Sequence, residues 1–198
     1  FMKNTIIGVA IVRKNCKSRQ RKRPSWLFQR SISMEQYTSH SLEETLSIAR
    51  EVGKSLPPST VVAYLGGLGM GKTAFTAGLA QGMGIEDSVS SPTFALVNVY
   101  YGHPTDLVHF DMYRISSPDD LEATGFFDYL DTNAVLAVEW SENILSALPE
   151  NCLFVHLAPG KDSDQRVITL CHGSKELSEF FSSLPGYSNS ASNTITNF

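Results

Sequence analysis

Cysteine is scarce: Cys16, Cys152 and Cys171 are the only three, far apart and odd in number. With no C-x-x-C pair, neither a zinc framework nor a disulfide scaffold is expected. A reducing compartment, read here as the cytoplasm, suits the chain. Long apolar runs are missing too. The longest near the start, Thr5 to Val12, falls well short of the roughly 20 residues that cross a bilayer as a helix, so no membrane association is expected. No internal repeat is visible. Basic residues are few after the first 33 positions. Residues 34–198 hold seven Lys or Arg against twenty Asp or Glu, a net charge of −13. Tight nucleic-acid binding needs several cations set against phosphates. So sparse a set favours a protein partner, with any nucleic acid reached only through it.

Acid is absent from residues 1–33, which carry nine Lys or Arg. An organelle transit peptide, a basic nucleic-acid arm around Arg19 to Pro24 and a non-native extension ahead of Met34 all fit that composition. The segment is read as a basic leader, disordered or non-native, and set aside from fold reasoning. Residues 34–185 have the length of one domain. Residues 186–198 are polar and low in complexity and read as a disordered tail.

Ser41-Leu-Glu-Glu44 is a capping box, and Leu42, Leu46, Ala49 and Val52 follow at helical spacing. That helix should end before Pro57-Pro58. Thr60 to Leu65 reads as a buried strand, and Lys72 to Met83 as a helix stopped by Gly84. Thr93 to Tyr101 and Leu107 to Tyr113 have strand character. Ser117 with Pro118 opens a helix that Gly125 closes. Ala134 to Val138 is a continuous apolar run and so a central strand. Leu153 to Leu157 and Arg166 to Leu170 resemble a late hairpin, and Ser174 to Ser183 a last short helix. Strands alternating with helices imply an α/β fold: a mostly parallel central sheet with flanking helices and an antiparallel hairpin near the end.

Between the first strand and its helix lies Gly66-x4-Gly71-Lys72-Thr73, a full G-x-x-x-x-G-K-[ST] pattern in the context it requires. Backbone N–H groups of successive residues, Leu68, Gly69, Met70, Gly71, Lys72 and Thr73, converge on a polyphosphate only if the chain curls tightly, which glycine permits. The helix start aims its positive end at the same point. Lys72 adds a cation for the outer phosphates, and Thr73 a hydroxyl for Mg²⁺.

Acids should stand nearby, at the ends of neighbouring strands. Asp111 ends VHFD and Glu139 ends AVLAVE. Either can hold Mg²⁺ or orient the attacking water. The plain alternatives are a solvated strand-end acid for Glu139 and a salt bridge to Arg114 for Asp111. His109 shares the strand face of Asp111 and reads as a satisfied, partly buried histidine. Trp140 reads as a core or rim residue, or as a ring beside nucleotide or partner. Thr93 reads as a turn residue or a γ-phosphate switch. Glu142, Asp119 and Asp120 read as solvated helix-end charges.

With these residues assembled, the chain resembles the TsaE (YjeE) family, the ATPase component of the bacterial machinery that makes threonylcarbamoyladenosine in tRNA. The resemblance rests on LGGLGMGKT (Leu65 to Thr73), SPTFALVNVY (Ser91 to Tyr100), HFDMYR (His109 to Arg114), DDLEATGFFDYL (Asp119 to Leu130) and VEW (Val138 to Trp140). It implies a P-loop NTPase-like domain in which the Leu68 to Thr73 backbone and Lys72 bind ATP, Thr73 and Glu139 hold Mg²⁺, and Asp111 serves hydrolysis. It implies weak hydrolysis alone and action with TsaB and TsaD homologues in forming the modified base. Gly67, Met70 and Ala74 depart from the family's usual Asp, Ala and second hydroxyl residue.

Two other functions share the P-loop. A small-molecule kinase needs cations to clamp the transferring phosphate, and arginines are sparse here. A nucleotide-gated binding module differs only in its negligible turnover.

Overall fold

The computed structural model describes residues 34–150 and 152–172. The basic leader, the helix expected over Ser174 to Ser183 and the polar tail lie outside the described residues. The described elements are β1 (Met34–Ser39), α1 (Leu42–Ser55), β2 (Val61–Leu65), α2 (Lys72–Gly82), β3 (Val97–Tyr100), β4 (Leu107–Asp111), α3 (Pro118–Ala123), α4 (Phe126–Leu130), β5 (Val135–Glu139), a 3-10 segment (Ser141–Ala147), β6 (Leu153–Pro159) and β7 (Arg166–His172).

One seven-stranded sheet runs β1-β7-β6-β2-β5-β4-β3. Its middle four strands, β6, β2, β5 and β4, are mutually parallel. β3 adds antiparallel at one edge, and the β6–β7 hairpin with β1 at the other. Parallel strands need covering on both faces, and their near-continuous apolar sequences reflect that. Alternate residues of β2 divide between the two layers. Val62 and Tyr64 meet Ala49 of α1 and Phe75 and Leu79 of α2. Val61, Ala63 and Leu65 meet Leu121, Phe126 and Ile144 on the opposite face. Each such large side chain, fully buried, contributes roughly 1.5–3 kcal/mol.

The local signals act largely as expected. The Ser41 hydroxyl caps α1 by accepting from the Glu44 N–H at 3.2 Å. The Glu44 carboxylate accepts from His40 N–H at 2.7 Å, one residue earlier than a standard capping box prescribes. Ser117 caps α3 the same way, through Asp120 N–H. α1 and α2 lie backbone against backbone. A Cβ at Gly78 would stand 2.5 Å from Ala49 Cβ and 2.6 Å from Leu46 O, and Gly53 and Gly82 leave equally little room.

Four expectations need correction. The strand expected from Thr93 begins only at Val97, because residues 93–96 form a turn in which Leu96 N–H donates to Pro92 O and Leu96 takes a φ of 65°. The strand expected over Leu107 to Tyr113 stops at Asp111. Gly125 closes α3 but also opens α4, a helix the sequence reading did not contain. β1 was likewise unforeseen. Among the described residues no helix is long and apolar enough to cross a membrane.

Candidate nucleotide and metal site

The loop from β2 to α2 carries three glycines in left-handed or related conformations: Gly66 at φ 131°, Gly69 at 75° and Gly71 at 99°. At Gly66 the requirement is double, since a Cβ there would also meet Leu157 O of β6 at 2.3 Å. The strand therefore turns at the one residue type that can pass β6. Leu68, at the tip, is exposed, while Lys72 at the start of α2 is buried. Lys72 Nζ donates to Gly66 O at 2.7 Å and Gly67 O at 2.9 Å, and lies 4.0 Å from the centre of the Trp140 ring. Burial pulls the Lys72 pKa below the ordinary ammonium value, against the opposing fields of Glu139, Glu142 and Asp111.

The acids come from the neighbouring strand tips. Asp111 and Glu139 are register partners across the parallel β4–β5 ladder. Side chains alternate along a strand, so Leu107, His109 and Asp111 share one face, as do Val135, Ala137 and Glu139. Leu107, Val135 and Ala137 pack in the layer that contains α2, so the acids and His109 face the P-loop helix. There the Thr73 hydroxyl donates to Glu139 Oε1 at 2.7 Å, and His109 Nε2 contacts the same oxygen at 2.9 Å. Burial of Glu139 works against its charge. The His109 bond and charge, the Thr73 hydroxyl and the Lys72 ammonium outweigh that and hold its pKa below the usual carboxylate value.

Asp111 does not pair with Arg114. Its Oδ2 accepts from the Thr93 hydroxyl at 2.9 Å and its Oδ1 from Tyr113 N–H at 3.0 Å. Arg114 instead lies over the exposed Phe94 ring at 5.6 Å. Thr93 is thus tied to an acid of the site, which a plain turn would not require. His109 is fully buried rather than partly so. Trp140 is a rim residue, half-buried and packed against the core layer of Leu65, Phe110 and Val138. It adopts φ 56° directly after Glu139, stacks at a tilt on Tyr113 with centroids 5.0 Å apart, and meets the Lys72 ammonium. A bulky residue in that conformation stores strain, and such strain gathers at functional sites.

Glu142 requires the largest revision. Asp119 and Asp120 are exposed as expected, but Glu142 Oε2 is enclosed without a hydrogen-bond partner among the described residues. Burial raises its pKa, only partly offset by its own backbone N–H and by Lys72. Sequence reasoning missed this and the His109–Glu139 bond. The signals available were the i, i+2 placement of His109 and Asp111 and the three-residue step from Glu139 to Glu142.

The structure therefore brings Lys72, Thr73, Glu139 and Asp111 to one end of the sheet, beside the Leu68 to Thr73 backbone. The donor set fits Mg²⁺, a hard cation that takes hydroxyl, carboxylate, water and phosphate oxygens. Among the described residues no group of three or more His, Cys, Asp or Glu is arranged to hold an ion by itself. A shell completed by nucleotide oxygens and water suits such a site.

Residues 39–168 match the family model described as threonylcarbamoyl adenosine biosynthesis protein TsaE. A curated tRNA threonylcarbamoyladenosine biosynthesis protein TsaE from Treponema pallidum is 36% identical over 129 residues, covering 65% of this chain and 95% of that protein. The protein of the same description from Bacillus subtilis is 38% identical over 127 residues, covering 64% and 78% respectively. The crystal structure of Bacillus subtilis YdiB superposes with a TM-score of 0.62 at 29% identity, over 78% of this chain and 97% of that one.

Proposed function

Because the chain belongs to the TsaE family of threonylcarbamoyladenosine biosynthesis proteins, we propose that it is a magnesium-dependent ATPase. In this reading it acts with TsaB and TsaD homologues in the modification of tRNA, in a reducing aqueous compartment, the cytoplasm. The observation that carries the proposal is the 2.7 Å bond from the P-loop hydroxyl of Thr73 to Glu139 at a neighbouring strand tip. It links the phosphate cradle to a metal-competent carboxylate, as ATP hydrolysis requires.

Each residue has a distinct task. The backbone N–H groups from Leu68 to Thr73, at the positive end of α2, bind the phosphates. Lys72 is a buried cation on the same loop and compensates charge on the outer phosphates. Thr73 and Glu139 would hold Mg²⁺, which would supply neutralisation of the negative charge on the phosphates. Asp111 keeps its carboxylate fixed by Thr93 and Tyr113 N–H and orients the attacking water. Residues 34–198, with seven basic side chains against twenty acidic ones, bind tRNA poorly by themselves, so this part of the chain reaches tRNA through the partners.

Phosphate release from ATP and calorimetric ADP binding test the assignment together. Glu139→Ala and Asp111→Ala should lose release by about a hundredfold or more, the usual scale for a transition-state contact, while still binding ADP. Normal hydrolysis in both variants would overturn the catalytic roles. Threonylcarbamoyl transfer to tRNA by TsaB and TsaD, unchanged by adding this protein with ATP, would overturn the accessory role.

A further inference from the structure

His109 is a fully buried polar side chain that the proposed reaction does not use, in a strand otherwise given to packing. Its Nε2 lies 2.9 Å from Glu139 Oε1, the same oxygen that receives the Thr73 hydroxyl at 2.7 Å. A carboxylate offers only acceptors, so Nε2 carries the hydrogen of this contact. Both recorded bonds to the carboxylate therefore fall on one oxygen, and they come from two elements, α2 and β4. The second nitrogen, Nδ1, is buried and has no hydrogen-bond partner among the described residues. The ring is accordingly held by packing and by Glu139 alone.

We propose that His109 is a positioning residue for magnesium: by donating to Glu139 Oε1 it fixes the carboxylate plane and leaves Oε2 to enter the metal shell. The inference rests on the proposed function. With Thr73 alone as donor, the carboxylate is free to turn about its last torsion, which is broad for a terminal planar group. A second donor from the adjacent strand over-determines the plane. Outer-shell donors of this kind typically govern metal affinity about 10–100-fold. A purely structural role predicts something else. There, His109 would satisfy a buried charge, and its loss would weaken the fold and nucleotide binding with or without metal.

The test compares three variants of the full chain. Glutamine places its Nε2 near the position of the histidine Nε2, asparagine places its Nδ2 near Nδ1, and leucine offers no donor. ADP affinity is measured by calorimetry with and without MgCl₂, and the ratio of the two reports magnesium coupling. His109→Leu and His109→Asn should lower that ratio by about tenfold or more with metal-free ADP affinity unchanged, and His109→Gln should restore it. Wild-type coupling in the leucine and asparagine variants would overturn the proposal. So would failure of glutamine to restore coupling while its metal-free binding stays intact, or loss of metal-free ADP binding in step with coupling in the leucine variant. A wild-type chain that binds no ADP in either buffer would overturn the proposed function and this inference with it, whereas a wild-type ratio shared by all three variants sinks this inference alone.

Discussion

Replacing Gly66 by alanine should destabilise the protein before any nucleotide is added. Its φ of 131° lies in a region essentially reserved for glycine, and holding another residue there costs about 1–3 kcal/mol. The new Cβ would stand 2.3 Å from Leu157 O, and the gap must open to at least 3.0 Å. The obstacle is a carbonyl of β6, which pairs with β2 along the sheet, so no side chain can swing aside. Forced shifts of this kind cost a further ~1–3 kcal/mol. The sum, about 4 kcal/mol, corresponds to a fall of about 1.3–4 M in the urea midpoint at ordinary slopes of about 1–3 kcal/mol/M. Gly67→Ala is the internal control. Gly67 has no positive φ and a Cβ there meets nothing within 4 Å, so that variant should be neutral or gain about 0.4–1 kcal/mol. Urea unfolding followed by circular dichroism, without nucleotide, measures both. A Gly66→Ala midpoint within error of wild type would refute the idea that strand packing, and not only phosphate binding, demands this glycine.

Two further predictions concern titration and reactivity. Burial raises the Glu142 pKa above its ordinary 4.5, so the folded state holds that proton more tightly. Stability is then lost as pH rises from 4.5 through the folded value. Glu142→Gln should be more stable than wild type at about pH 7 and lose that advantage below pH 4.5, in thermal melts across the range. Cys152 has its thiol pushed up to about 12 by burial. Iodoacetamide at about pH 8 should label it about a thousandfold more slowly in the native protein than after denaturation, since only the thiolate reacts, as peptide mass spectrometry would show.

The parts legible in the sequence are those whose signals are local. The P-loop declares itself through glycine spacing, the parallel strands through unbroken apolar runs such as VVAYL and VLAVE, and the helix starts through Ser41 and Ser117. β1 was not legible. Its six residues, MEQYTS, are mostly polar and exposed, and they become a strand by pairing with β7, whose residues 166–171 lie far along the chain. The turn at residues 93–96 was only half legible. SPTFALVNVY joins a Ser-Pro-Thr turn signal to a β-forming second half, and the capture of Thr93 by Asp111 and of Asp111 N–H by Leu96 O holds the first half out of the strand. The placement of Asp111 and Glu139 at neighbouring strand tips was legible from the apolar runs they end. The shared use of Glu139 Oε1 was not, because it depends on the register of β4 against β5. The enclosure of the Glu142 carboxylate depends on how its 3-10 segment is seated, to which the three-residue step from Glu139 is the one sequence clue.

The seam between α1 and α2 has a mechanical consequence. Where Gly53, Gly78 and Gly82 let main chain touch main chain, the two helices have no slack between them, so α1 and α2 are clamped into one slab. Phe94, Tyr113 and Trp140 sit instead in the connections between elements, with exposed or half-buried rings. Among those connections the Asn143 amide donates to Met112 O at 2.9 Å and so ties the segment after β5 to the segment after β4.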